Sequence, residues 1–210
     1  MKLLLLGATG LVGSHVLTLA LSGSTFSEVV APTRQPLEPN DKLVNPIASR
    51  LETLLPALMS HPPDAVICAL GTTQAKAGSK QAFRYVDHDL PIAFGKAAYA
   101  EGVETYAMVT AMGASFGSRS FYYRTKGEVE RDIQKIGFRS LTICRPSLIG
   151  GERKETRRLE SAALALAGVL APILPKKFRV NPAQVIAGSL LNAAIAAKTG
   201  CHWIHAEEMS

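Results

Sequence analysis

Tyr122 and Lys126 stand four residues apart in the stretch FYYRTKGEVE. On a helix that spacing turns both side chains to one face. An ammonium beside a phenol favours the phenolate and lowers the tyrosine pKa from its usual value of about 10. A phenol tuned in this way can exchange a proton with a carbonyl or alcohol oxygen while a hydride moves to or from a nicotinamide. Tyr123, one position on, has no lysine at the matching spacing. Tyrosines and lysines are common on helices, so the pair takes its meaning from what surrounds it.

A second chemical feature lies upstream. Gly7, Gly10 and Gly13 in GATGLVG follow the apolar run KLLLL and open a helical stretch. In a strand–turn–helix unit one glycine permits the tight turn, one lets backbone approach a pyrophosphate, and one lets helix and strand pack closely. Gly7, Ala8, Thr9 and Gly10 form the expected contact loop. Leu11, Val12 and Gly13 open the helix, whose free amides and positive dipole end favour phosphate. The spacing GxxGxxG differs from the common GxGxxG fingerprint. That fingerprint also places an acidic residue about 20 positions on, to hold a ribose 2′-hydroxyl. Here the corresponding stretch, APTRQP, carries Thr33 and Arg34 and no carboxylate. An arginine there can meet a 2′-phosphate through charge-assisted hydrogen bonds, so NADP(H) is expected in preference to NAD(H).

The elements that must position these residues alternate along the chain. KLLLLGA, EVVAPT, KLVNP, DAVICAL, TYAMVTA, SLTICRP and HWIHA read as short, mostly apolar strands. Between them lie helical stretches: Gly10 to Leu21, LETLLPALMS despite Pro56, Ser79 to Ala100, YYRTKGEVERDIQKIG, and PAQVIAGSLLNAAIAA. Apolar strands separated by helices indicate a parallel sheet covered on both faces. The expected fold is therefore α/β, a doubly wound Rossmann sheet, mostly parallel and flanked by helices on both faces. A single domain over 1–210 is expected, with 148–180 as a substrate-side segment beyond the carboxyl ends of the strands.

Bulk properties narrow the class. A hydrophobic fraction of 47% and a mean hydropathy of +0.14 suit a folded core rather than a disordered chain. The net charge of +6 and pI near 9.3 suit an anionic partner, but no nucleic-acid motif accompanies them. No nucleic-acid partner is expected. The longest apolar run, residues 161–174, is shorter than the roughly 20 residues that span a bilayer. Cys68, Cys144 and Cys201 each sit in apolar stretches and match no zinc spacing, so they read as buried reduced thiols. His202 and His205, three apart on a strand, face opposite sides, which argues against a shared metal. Arg153, Lys154, Arg157 and Arg158 read as a solvated basic face, and LALAGVL as core. The opening MKLLLL resembles a secretory signal. The glycines at 7, 10 and 13, and the lack of an AxA cleavage site, instead make it the entry to a buried strand. The expected location is the cytoplasm, with a homodimer left open.

One further pattern covers nearly the whole chain. GATGLVG, CALGTTQAKAG, FRYVDHD, TAMGA, YYRTKGEVE, RPSLIGGERKE and RVNPAQVIAGSLLNAA occur in an order that resembles the short-chain dehydrogenase/reductase superfamily. The resemblance is to its atypical branch and, within it, to the Tat-interacting-protein oxidoreductases, which bind NADPH. It implies that Tyr122 is the acid/base and that Lys126 holds the nicotinamide ribose. It implies that Leu70, Gly71 and Thr72 line the adenosine ribose and pyrophosphate, and that Pro146 and Ser147 border the nicotinamide. Asp87 falls where superfamily members carry an Asn or Asp behind the site. The superfamily's third catalytic residue is a serine within a Ser–Ser pair. Here that pair is Thr110–Ala111. Thr110 keeps a hydroxyl that can hold a substrate oxygen, and Ser115 and Ser118 are the alternatives. The resemblance implies an NADP(H)-dependent oxidoreductase passing hydride between the nicotinamide and a carbonyl or alcohol of a small-molecule substrate. The altered pair keeps a second expectation open, a non-catalytic NADPH-binding sensor or scaffold.

Overall fold

Four consecutive leucines explain the architecture. In β1 (Lys2–Leu6) every residue after Lys2 is buried. Successive side chains of a strand point to opposite faces, and both faces are covered. Leu3 and Leu5 join a core with Val12, Val16, Ile186 and Leu190 from α1 (Leu11–Ser22) and α7 (Ala183–Ala196). Leu4 and Leu6 join another with Phe94, Ala98, Val129 and Ile133 from α5 (Leu90–Ala100) and α6 (Phe121–Gln134). Burying such a side chain contributes about 1.5–3 kcal/mol, so an apolar residue at every position of a central strand is favourable only between two helical layers.

The computed structural model describes residues 1–150, Pro175 and 179–209. The main sheet runs β3 (Leu43–Val44), β2 (Glu28–Val30), β1, β4 (Ala65–Cys68), β5 (Thr105–Val109), β6 (Ser140–Arg145), β9 (Gly200–His205). All six neighbouring pairs are parallel. This is the expected doubly wound α/β fold. From β1 the chain winds outward through β2 and β3, then returns to the other side of β1 as β4. The strand order therefore reverses between β1 and β4, and their carboxyl ends open the crevice where such sheets bind ligands. The turn Gly7–Gly13 and the loop Leu70–Thr72 both begin there.

Three local features differ from the sequence pattern. The stretch around Pro56 starts as a tight turn, Leu51–Leu54, and continues as α2 (Leu55–Met59) with Pro56 in its first turn, where proline needs no amide partner. The helical stretch from Ser79 to Ala100 is wound in parts, α4 (Lys80–Arg84), a wide π-turn at Tyr85–Asp89, then α5, and a separate short helix, α3 (Gln74–Ala77), precedes it. Pro91 has no N–H for a carbonyl one turn back, and the widened turn precedes it. A short parallel pair, β7 (Ile149–Gly150) with β8 (Asn181–Pro182), was not legible in the sequence. It closes the base of the 148–180 segment. Residues 151–174 and 176–178, with Arg153, Lys154, Arg157, Arg158 and LALAGVL, lie outside the described residues.

Cys68 and Cys144 are buried as expected, and burial pushes the Cys144 thiol up to about 12. Cys201 departs from expectation and is exposed, because β9 is the edge strand of the sheet. Among the described residues no helix is long and apolar enough to cross a membrane.

Candidate active site and nucleotide turn

The turn after β1 is built by contacts that only glycine permits. Gly7 has φ +86°, and a Cβ there would stand 2.6 Å from the Ala69 carbonyl oxygen on the neighbouring strand's exit. A Cβ at Gly13 would stand 2.0 Å from the Gly7 carbonyl oxygen, so α1 lies directly on the turn. The Gly10 amide donates to Gly7 O at 2.9 Å and closes the bend. Gly10 caps α1 without a side-chain hydrogen bond, and no acidic residue occupies the first turn. The helix thus keeps its leading amides and positive end for an anion. Thr9 and Gly10 are exposed, whereas Ala8 and Val12 are buried in the core beneath. These observations fit a dinucleotide pyrophosphate.

Arg34 follows β2, is exposed, and is tied to no other described residue by a hydrogen bond or ion pair. Thr33 is buried. Its hydroxyl donates to Gln35 O at 2.6 Å and accepts from Asn45 at 2.7 Å, so the side chain shapes the loop that presents Arg34.

The predicted acid/base pair lies on α6, as the spacing required. Lys126 is buried, and its Nζ lies 2.7 Å from Asp87 Oδ1. Asp87, also buried, sits in the wide π-turn, a rare winding that concentrates at functional sites. Its other oxygen accepts from the Thr72 amide at 2.9 Å. Asp87 therefore joins α6 to the loop after β4. Burial alone would lower the Lys126 pKa, but the adjacent carboxylate outweighs it and holds the ammonium above its ordinary value. The result at Tyr122 corrects the sequence expectation. Burial raises the phenol, Lys126 lowers it, Asp87 and Tyr123 raise it, and the balance is upward. The i, i+4 argument counted the lysine but neither the burial of the ring, which is the larger effect, nor the carboxylate of Asp87. Phe83 packs on the Tyr122 ring with centroids 5.7 Å apart.

Thr110 lies just past β5 and is buried. Its hydroxyl donates to Glu130 Oε1 at 2.6 Å. Arg145, at the end of β6, grips the same carboxylate with two nitrogens, Nε at 2.9 Å from Oε1 and a second on Oε2. The Thr110 hydroxyl is thus occupied within a buried network. Gly127 lets the loop after β5 cross α6, since a Cβ there would stand 2.2 Å from the Ser115–Phe116 backbone. That loop carries Ser115, which with Phe116, Glu130 and Arg145 lines an open groove of about 570 Å³. Ser118 Oγ accepts from the Ser120 amide at 3.2 Å.

The loop after β6 is held from the far end of the chain. The Ser147 amide donates to Asn181 Oδ1 at 2.8 Å, its hydroxyl donates to Arg179 O, and Asn181 Nδ2 donates to Ala206 O at 2.8 Å. The Met112 amide donates to Pro146 O at 2.7 Å, joining this loop to the one after β5. Glu130, Arg145 and Asn181 had no role in the sequence reading. Glu130 had a usable signal: it stands one turn beyond Lys126, on the face of α6 that also buries Val129 and Ile133. A charge on such a face requires a partner.

A family model described as NAD(P)H-binding matches residues 7–168. The chain belongs to this NAD(P)H-binding family. Among its relatives are the mitochondrial protein fmp52 of Aspergillus niger, 34% identical with 93% of this chain and 88% of the relative covered, and FMP52 of Candida albicans, 35% identical with 80% and 76% covered. Solved structures with the same fold include a UDP-glucose 4-epimerase from Thermotoga maritima (TM-score 0.73, 15% identity, 98% of this chain and 77% of that one). Another is the Bordetella bronchiseptica enzyme WbmH in complex with NAD+ (TM-score 0.72, 14% identity, 97% and 75%). The relatives overturn the cytoplasmic expectation, because the fmp52 proteins are named as mitochondrial. The sequence reading weighed a secretory signal alone, and a mitochondrial address is a different signal.

Proposed function

We propose that the protein is an NADP(H)-dependent oxidoreductase that interconverts the carbonyl and alcohol of a small-molecule substrate. The observation that carries this reading is the cluster of Tyr122, Lys126 and Asp87 on elements that meet the loop after β4, across the crevice from the glycine turn. When bound, the nicotinamide supplies or accepts the hydride. The turn Gly7–Gly13 holds the pyrophosphate with backbone amides. Arg34 meets the 2′-phosphate, which is why NADP(H) is preferred. Lys126 is ion-paired with Asp87, and its ammonium donors serve the ribose hydroxyls. Leu70, Gly71 and Thr72 line the adenosine side, Pro146 and Ser147 the nicotinamide side. Tyr122 exchanges the proton with the substrate oxygen. The test is NADPH consumption on a panel of aldehydes, ketones and quinones, with Tyr122→Phe expected to abolish turnover and keep NADPH binding. Full activity in Tyr122→Phe would remove the mechanism.

One observation favours a second reading, an NADPH-binding sensor or scaffold: the hydroxyl expected to orient a substrate is bonded to Glu130. Clear NADPH affinity with no turnover across the panel would support it.

A further inference from the structure

We propose that the substrate is a flat, apolar carbonyl compound of the aryl ketone class, held against Tyr123, Met112 and Leu148 and hydrogen-bonded to the protein through Tyr122 alone. This names the substrate class of the oxidoreductase site and rests on that reading.

The polar groups beside the phenol are already committed. The ends of β5 and β6 bring two hydroxyls, those of Thr110 and Ser147, to the carboxyl edge of the sheet. Thr110 donates to Glu130 Oε1 at 2.6 Å, and Ser147 donates to Arg179 O. The charges there are paired as well, Arg145 with Glu130 and Lys126 with Asp87. A substrate hydroxyl or carboxylate buried among these groups would give up water and gain no free partner. The apolar side chains form a run beside the same place. The Met112 amide donates to Pro146 O at 2.7 Å, which sets the loop after β5 against the loop that carries Leu148. Leu148 is 49% exposed although its side chain is wholly apolar. Next to Met112, Gly113 has φ +83° and lies under the Tyr123 ring, where an added Cβ would fall 3.4 Å from Cε1. That ring is 41% exposed and stands edge-on to Tyr122, with centroids 5.1 Å apart at 82°. Exposed apolar groups that gather in one place mark a ligand groove, whereas scattered ones are ordinary surface. An aromatic ketone matches this wall. Its ring packs on Tyr123, as aromatic rings do beyond simple area burial, Met112 and Leu148 cover its flanks, and its single oxygen meets the one hydroxyl available. In the reduction, hydride from the reduced nicotinamide bonds to the carbonyl carbon and the C=O π pair moves to oxygen. The phenol proton goes to that oxygen, and the phenolate regains a proton from water.

The test compares carbonyl probes with NADPH: acetylnaphthalene, flat and apolar; cyclohexyl methyl ketone, apolar but not flat; and the polar dihydroxyacetone and pyruvate. The expected kcat/KM is about tenfold higher for acetylnaphthalene than for cyclohexyl methyl ketone, and lowest for the two polar probes. Tyr123→Leu keeps an apolar side chain but removes the ring. It is expected to raise KM for acetylnaphthalene roughly three- to tenfold and to move KM for cyclohexyl methyl ketone by less than about twofold. Leu148→Asp, at an exposed position, is expected to raise KM for both apolar ketones. Preference for dihydroxyacetone or pyruvate, or an unchanged acetylnaphthalene KM in Tyr123→Leu, would overturn the proposal and leave the oxidoreductase reading standing. A calorimetric titration of acetylnaphthalene into the NADP+-loaded wild type and Tyr123→Leu reads binding without turnover. Binding that weakens in Tyr123→Leu, with no probe reduced, would support the ligand class and overturn the oxidoreductase reading. No binding and no turnover of acetylnaphthalene would overturn the proposal.

Discussion

Replacing Gly13 by alanine separates the turn's role in folding from its role in binding. The new Cβ would stand 2.0 Å from the Gly7 carbonyl oxygen, whereas such contacts essentially never fall below 3.0 Å. The neighbour is backbone, so α1 must retreat from the turn by about 1 Å. Forcing a methyl into a packed site costs about 1–3 kcal/mol, and at about 2–4 °C per kcal/mol for a chain of this size Tm falls by roughly 2–12 °C. The same retreat moves the amides that face the pyrophosphate. NADPH at 100 times its Kd stabilises the wild type by about 2.7 kcal/mol, and a tenfold weaker Kd leaves about 1.4 at the same concentration. Scanning calorimetry with and without NADPH reads both quantities. Gly188→Ala is the control: it lies in α7 with nothing within 4 Å of the added methyl. It is expected to stabilise by about 0.5–1 kcal/mol through helix propensity and to leave the NADPH-induced shift unchanged. If Gly13→Ala keeps both its Tm and the full NADPH-induced shift, the contact between turn and helix does not build the site.

Three further outcomes follow from the same contacts. Arg34→Ala should weaken NADPH binding tenfold or more and leave NADH binding unchanged; equal thermal shifts by NADPH and NADH in the wild type would remove the 2′-phosphate argument. Glu130→Gln breaks a carboxylate held by Thr110 and Arg145. Losing one member of a buried pair costs about 3–5 kcal/mol, reduced to about 2–4 here because the Arg145 side chain is 27% exposed; urea unfolding within 0.5 kcal/mol of wild type would contradict the network. Asp132 is held well below the usual carboxylate range, first by Arg131, then by His88 and Lys135 against some burial. A depressed carboxylate contributes stability that is present above its unfolded pKa of about 3.9 and is lost as pH falls toward its folded value. The deficit of Asp132→Asn, about 1 kcal/mol at pH 7 for these partly exposed partners, should shrink below pH 4 in urea titrations. A deficit independent of pH would refute the assignment.

The sequence by itself determined what depends on neighbours along the chain. KLLLL had to be a two-sided strand because its apolar residues do not alternate, and the glycine spacing named the turn because a helix resting on a strand exit excludes a Cβ. Tyr122 and Lys126 share a face because one helical turn separates them. Only the tertiary structure decided what those groups experience. Asp87 reaches Lys126 from another helix, Glu130 meets Thr110 across 20 residues, and Asn181 holds Ser147 across 34. Spacing can count the charges on one element, but the pKa of a buried group depends on every charge brought against it. The lysine predicted a lowered phenol, and burial of the ring, with the carboxylate of Asp87 adding to it, reversed the result.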